Sequence, residues 1–332
     1  MRAMVLHELG PIQSSPLRCE EYPTPRPGPG EVRVRVRHCA ICRTDLHVIE
    51  GDLPRHTLPI IPGHQIVGVV DELGPACRRR LMGQRVGVAW LRHTCGSCAF
   101  CGAGRENLCE QARFTGYHAD GGYAEYAVVP EDFAYVLPDV FTDNAAAPLL
   151  CAGLIGYRAL ARAALPPGGT LALYGFGSSA HVVLQIARHR GSAVYVVSRA
   201  EAHVALARAL GASWAGKDAG ALPVQTDSAI IFAPAGELVP VALEKLRKGG
   251  TLALAGIHMS QIPALDYERH LFYERNIHSV TANTRADGEA LLAEAASILL
   301  RPHVTEYPLS DANRALQDLK ADRINGTGVL AI

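Results

Sequence analysis

The sequence predicts a two-domain α/β protein, a β-rich domain with long loops followed by a parallel sheet covered by helices. Three observations carry this expectation. In about the first 150 residues, short apolar runs alternate with a period of two between turns and irregular stretches. Beyond them, apolar strands and helices follow one another in the order and at the lengths of strand–helix–strand units. A chain of 332 residues is also long enough to build two separate cores.

The clearest strand is 32–38, Val-Arg-Val-Arg-Val-Arg-His, approached through a run rich in proline and glycine at 23–30. Shorter strands are expected at 66–70 and 85–88, with alternation again at 123–129. After Cys151 the pattern changes. A helix at 153–164 ends in Pro166-Pro167-Gly168-Gly169, and a strand at 170–174, a glycine turn at 175–177 and a helix at 179–189 follow. Residues 193–197 form the next strand and 201–210 the next helix, and strands at 228–232 and 251–255 flank a helix at 239–246. The tail carries helices at 288–300 and 311–321 and a short strand at 328–332. It is too small to stand alone, and periodicity leaves open which domain it joins.

Composition excludes several classes. The 32 basic and 32 acidic side chains cancel, with no charged block. That argues against nucleic-acid partners and anionic membrane surfaces. No run reaches the ~18 apolar residues of a membrane span. The start, Met1-Arg2-Ala3-Met4-Val5-Leu6, turns polar at once, so no leader is expected and the cytoplasm is the expected location. In that setting, nine cysteines point to metal ligation rather than to a disulfide scaffold.

Four of those cysteines are Cys95-x2-Cys98-x2-Cys101-x7-Cys109. Such spacing wraps one tetrahedral ion, and Gly96, Gly102 and Gly104 permit the tight turns. Iron–sulfur clusters use related spacings, but their proline context is absent here. Four thiolates leave no open position, so this zinc is expected to be structural. A second, sparser group is Cys42-Arg43-Thr44-Asp45-Leu46-His47, answered by Gly63-His64-Gln65. A thiolate and an imidazole so far apart in sequence must be brought together by the fold, as catalytic metals require. Among Cys19, Cys39, Cys77 and Cys151, sequence alone picks out no third ligand; Cys19, Cys39 and Cys77 are expected to be buried or incidental.

Gly175-x-Gly177-x-x-Ala180 lies between an apolar strand and a helix, the context required of a dinucleotide fingerprint. Gly175 allows the turn, Gly177 lets a pyrophosphate approach the helix N-terminus, and Ala180 permits close packing. After the next strand stands Val197-Ser198-Arg199, where an NAD site would want an acidic residue. Ser198 and Arg199 suit a 2′-phosphate, so NADP(H) is expected over NAD(H).

These residues together resemble the zinc-dependent alcohol dehydrogenases of the medium-chain dehydrogenase/reductase family, over essentially the whole chain. The resemblance implies a GroES-like catalytic domain at 1–152, a Rossmann cofactor domain at 153–282, and a return to the catalytic domain at 283–332. It implies that Cys42, His64 and Cys151 hold a catalytic zinc, giving two Zn2+ per chain with the four-cysteine site. It further implies that Asp45 orients His64, that Thr44 touches the substrate oxygen, and that His47 ends a proton relay. Arg43 would contact the pyrophosphate, and Trp90 would narrow the substrate pocket. The implied substrate is a small alcohol, aldehyde or ketone, with aromatic or cinnamyl-type substrates or polyols as alternatives. The implied assembly is a homo-oligomer, tetramer or dimer. Three departures stand out: Gln65 replaces the usual glutamate after the histidine ligand, Ala180 replaces the last fingerprint glycine, which the motif tolerates, and Gly326-Thr327-Gly328 lacks an arginine often found there.

Overall fold

In the computed structural model of the chain, which describes residues 1–54 and 57–332, the strand with the strictest alternation is central to the first sheet. It runs Glu31–Ala40, with Val32, Val34 and Val36 buried and Arg35 and Arg37 exposed. Arg33, between them, is held by a two-pronged pair to Asp71 at 3.0 and 2.9 Å. On one side the strand pairs with Gln65–Leu73, then Arg85–Val88, then Ala134–Val136; on the other it meets Thr327–Ala331 and then Val304–Pro308. Tyr126–Pro130 also pairs with it, over Glu31 to Arg35. All of these pairings are antiparallel except Val304–Pro308 with Thr327–Ala331, which is parallel. The place of the tail, open to periodicity, is set by register: Val329 opposes Ala40, Leu330 opposes Cys39 and Ala331 opposes His38.

The chain divides into two compact units. The first comprises Met1–Cys151, Ala282–Ala296 and Arg301–Ile332; the second comprises Ala152–Thr281 and Ser297–Leu300. In the second, a six-stranded sheet runs Trp214–Gly216, Ala193–Val197, Thr170–Tyr174, Thr226–Ile231, Leu246–Leu254, Asn276–Ser279. Every pair in it is parallel. Numbered along the chain, that order is 3-2-1-4-5-6, the doubly wound Rossmann order, whose reversal falls beside the first strand. Leu171, Leu173, Val194, Val196, Ile230 and Leu252 are fully buried, as expected of strands covered on both faces.

Several elements carry no signal in the sequence pattern. The helix Arg43–Glu50 is only eight residues long, and its start depends on Asp45 Oδ2 accepting from the Cys42 N–H at 2.8 Å. Trp214–Gly216, Asn276–Ser279 and Val304–Pro308 are three to five residues each, too short for alternation to register. The expected helix at 288–300 begins earlier and spans Arg285–Ser297.

Candidate metal centres and cofactor turn

Three different elements of the first unit deliver the sparse ligand set. Cys42 stands at the N-cap of Arg43–Glu50, where the central strand has just ended. His64 ends the loop before Gln65–Leu73, and Cys151 follows the turn Ala147–Leu150. Cys42 Sγ lies 3.4 Å from His64 Nε2 and 4.0 Å from Cys151 Sγ, and all three donor atoms fall within 4.8 Å of one another. Zinc bonds of about 2.3 Å to sulfur and about 2.0 Å to nitrogen separate tetrahedral ligands by roughly 3.5–3.8 Å. The two thiols and one imidazole therefore fit that ion with one position left over.

Asp45 ties two of these donors together. Its Oδ1 is 3.0 Å from His64 Nδ1, and its Oδ2 takes the Cys42 N–H. That bond fixes the ring so that Nε2 faces the sulfurs. Asp45 and His64 are essentially inaccessible to solvent. The hydrogen bond from Cys151 and the charge of His64 hold the Cys42 thiol well below its ordinary range against the effect of burial. The same sulfur pairing, with burial, pushes Cys151 up. Burial disfavours the His64 imidazolium, but Asp45 and Cys42 outweigh it and raise the ring. A cation arriving here meets a thiolate already favoured at Cys42.

Thr44 and His47 occupy neighbouring positions three residues apart on one helix. Thr44 is buried, whereas His47 is partly open and its Nδ1 lies 2.8 Å from Asp52 Oδ2. Arg43 is engaged in an ion pair with Asp322 at 2.5 Å. Trp90 meets His64 edge-on, with centroids 4.9 Å apart at 72°. It is backed by Phe114 and Tyr117, stacked at 5.0 and 5.8 Å. Gln65 is fully buried, and neither end of its amide has a hydrogen bond among the described residues. Sequence reasoning missed Asp52, Asp322, Phe114 and Tyr117. Each belongs to a common residue type whose partner is found only through space.

Cys95, Cys98, Cys101 and Cys109 also gather within 4.8 Å. The backbone N–H groups of Ser97 and Cys98 bring the Cys95 thiol down to about 6. Gly96 and Gly104 take φ of +71° and +67°, the left-handed turns the wrapping demands. Four soft donors suit zinc with every tetrahedral position filled.

In the second unit, Gly175 turns at φ +87°, and a Cβ there would lie 2.9 Å from Ala233 N. Gly177 caps the helix Ser178–His189, and a Cβ on it would meet nothing within 4 Å. Backbone and helix N-terminus are thus open to an anionic ligand. Ala180 is completely buried. Ser198 is buried too, with its N–H on Gly216 O at 2.9 Å and its hydroxyl on His203 Nδ1 at 3.3 Å. Arg199 is exposed.

Residues 28–139 match the family described as "Alcohol dehydrogenase GroES-like domain". The chain is 52% identical to "Probable alcohol dehydrogenase AdhA" of Mycobacterium tuberculosis, over all of this chain and 97% of that protein. Its fold is similar to a cobalt- and zinc-bound thermostable alcohol dehydrogenase from Pyrobaculum aerophilum, at 29% identity and TM-score 0.91, covering 100% of this chain and 99% of that one. It is similar also to an NAD-dependent alcohol dehydrogenase, at 25% identity and TM-score 0.89 over the full length of both. The last comparison corrects the expectation that Ser198 and Arg199 favour NADP(H). That similar structure is described as NAD-dependent, and a physical reason in this chain is visible at Ser198, which is buried with its hydroxyl 3.3 Å from His203 Nδ1 rather than offered to a phosphate.

Proposed function

We propose, for a chain that belongs to the zinc-binding medium-chain dehydrogenase/reductase family of alcohol dehydrogenases, that Cys42, His64 and Cys151 hold the catalytic zinc. Cys95, Cys98, Cys101 and Cys109 hold the structural one. The enzyme carries out the family's reaction, reversible hydride transfer between an alcohol and a nicotinamide cofactor. The observation that carries the assignment is the three-donor cluster, two sulfurs and one nitrogen within 4.8 Å, beside a four-donor cluster that is already complete.

Zinc bound at the sparse site would supply a Lewis acid that lowers the pKa of an alcohol hydroxyl. The residues of the chain do the rest. Asp45 fixes the His64 ring, and Thr44 accepts the alcohol's proton as it hands its own hydroxyl proton onward toward His47. His47, held by Asp52 at 2.8 Å, passes the proton to water. Trp90, braced by Phe114 and Tyr117, forms a flat wall beside His64, which favours small or planar alcohols and aldehydes, aromatic ones included. Gly175 and Gly177 open the helix N-terminus to the cofactor's pyrophosphate, Ala180 packs that helix close to its strand, and Arg43, paired with Asp322, is the phosphate contact we propose from the first unit. Ser198 and Arg199 border the adenosine ribose. NAD(H) is the cofactor we propose, following the NAD-dependent relative.

No helix among the described residues is long and apolar enough to cross a membrane. We place the enzyme in the cytoplasm because its nine cysteines are all free and six of them serve as thiolate ligands in this reading, which a reducing compartment protects. We also infer a homo-oligomer, supported by exposed aromatic rings near the edge of the six-stranded sheet. Metal analysis of the wild type against Cys42→Ala tests the central reading. Two zinc ions per chain should fall to one, with alcohol oxidation lost. A variant that keeps full activity would overturn it.

A further inference from the structure

His64 does not hold its own place; a turn elsewhere in the first unit grips the loop that presents it. Asp120 Oδ1 accepts from Ile61 N at 3.0 Å, Gly121 N donates to Ile61 O at 2.7 Å, Gly122 N to Gly63 O at 2.9 Å and Tyr123 N to Pro62 O at 3.0 Å. Four consecutive residues thus clasp the three that precede the histidine. The fit leaves no slack. Gly63 takes φ +93°, and a Cβ on it would lie 2.3 Å from Tyr123 Cδ1, while one on Gly121 would lie 2.0 Å from Gly63 O.

The ring of Tyr123 is explained by that packing, but its hydroxyl is not. Tyr123 is fully buried, and its phenol oxygen has no hydrogen bond among the described residues. A buried hydroxyl without a partner is costly because its lost hydration is not repaid, so native proteins seldom keep one without a reason. Burial first, then the charges of Asp45, Cys39 and Cys42, push this phenol well above its ordinary range, and the Asp45 carboxylate is close enough to add to the effect as an acceptor. Asp45 has the complementary surplus. A carboxylate offers about four acceptor directions, and Asp45 uses one on His64 Nδ1 and one on the Cys42 N–H.

We propose that Tyr123 is a positioning residue for the catalytic metal, its hydroxyl donating to Asp45 and so fixing the Asp45–His64 pair from behind. The inference rests on the reading of Cys42, His64 and Cys151 as the zinc site. Hydrogen bonds around a metal site are often long before the ligands close on the ion and tighten afterwards. The orphaned donor and the spare acceptor are therefore two halves of one bond in the loaded enzyme.

The test compares zinc release from wild-type and Tyr123→Phe holoenzymes into a chromogenic chelator. Phenylalanine keeps the ring against Gly63 and removes only the oxygen. Direct partners of a ligand are worth about 10–100-fold in metal affinity, and a group one bond further out is expected to be worth about 3–10-fold. One of the two release phases should therefore quicken by that factor while the other, from the four-cysteine site, stays fixed as an internal control. In the cobalt-substituted enzyme the visible bands should shift as well. Unchanged release and spectrum, together with a raised thermal midpoint, would overturn the proposal. That result is what removing a hydroxyl that is merely unpaired would give. A Cys42→Ala protein retaining two zinc ions would instead overturn the site reading on which the proposal stands.

Discussion

Asp52 sits 2.8 Å from the Nδ1 of His47, and this pair makes the outer end of the relay testable side chain by side chain. Asp52 is about half exposed and His47 less so, so their interaction acts on orientation more than on stability. His47→Gln is expected to lower kcat for alcohol oxidation by about 10-fold, less than the ~100-fold or more of a group that takes the proton directly, because His47 stands at the outer end of the relay. Added imidazole should restore part of the loss. Asp52→Asn should cost less, because the ring remains and only its orientation loosens. Stopped-flow rates with and without imidazole check both. A second prediction concerns Gly63. At φ +93° with Tyr123 Cδ1 2.3 Å from a would-be Cβ, Gly63→Ala suffers both backbone strain and a clash. It should displace His64 and release the catalytic zinc while the four-cysteine zinc stays bound, which metal analysis reads directly. Sequence reasoning reached Thr44, Asp45 and His47 because they share one short run with Cys42. Asp52 and Tyr123 escaped it because an aspartate or tyrosine shows its role only through a partner that the fold brings near.

Elements were legible where their two faces differ. Glu31–Ala40 advertises itself because valines alternate with arginines, one set buried and the other turned outward or paired. The helices Ser178–His189 and Glu201–Ala209 are equally plain, since each follows a buried strand and a turn. Arg43–Glu50 was hidden because eight residues give barely two turns of periodicity. Asp45, which accepts from the N-cap Cys42 N–H, also serves the metal site. At this scale the connection worth testing joins the short turn Glu106–Leu108 to the start of the helix Arg285–Ser297. Glu106 accepts from Arg285 N at 2.7 Å, Nε at 3.0 Å and Nη2 at 2.6 Å. Burial pushes the Glu106 carboxyl up, but the hydrogen bonds from Arg285 win and hold it below its ordinary value of 4.5. A depressed acid stabilises the fold fully above its unfolded-state value, and that stabilisation is lost as pH falls through the folded value. Glu106→Gln should therefore lower the unfolding free energy at pH 7 by about 1 kcal/mol, for charge-assisted bonds partly open to water, and the denaturation midpoint with it. The difference from wild type should begin to shrink as pH falls below 4.5 and vanish only once the folded-state carboxyl is itself protonated. Denaturant titrations at the two pH values measure it.

At the scale of the whole molecule, the parallel sheet of the second unit was readable from strand–helix alternation, and its edge was not. Asn276–Ser279, the rim strand, is only four residues long, and the segment before it carries Tyr267, Phe272 and Tyr273 at 66, 55 and 40% exposure. The three rings touch in series, with centroids 6.0 and 5.3 Å apart, and Ile257 is also exposed. Contiguous aromatic surface beside an open strand edge is what a protein covers with another copy of itself, because an uncovered edge invites unspecific pairing. A closed symmetric pair would bury the same patch on both copies. Sedimentation of the wild type at micromolar concentration is expected to show a dimer or tetramer. The double variant Tyr267→Asp/Phe272→Asp places two charges on that patch and should shift the distribution toward monomer. Both zinc ions should stay bound, since all seven proposed ligands belong to the first unit. Retained zinc with a smaller species separates loss of assembly from loss of fold. A wild-type protein that sediments as a monomer throughout would leave the aromatic patch to some other partner and remove the homo-oligomer from the reading.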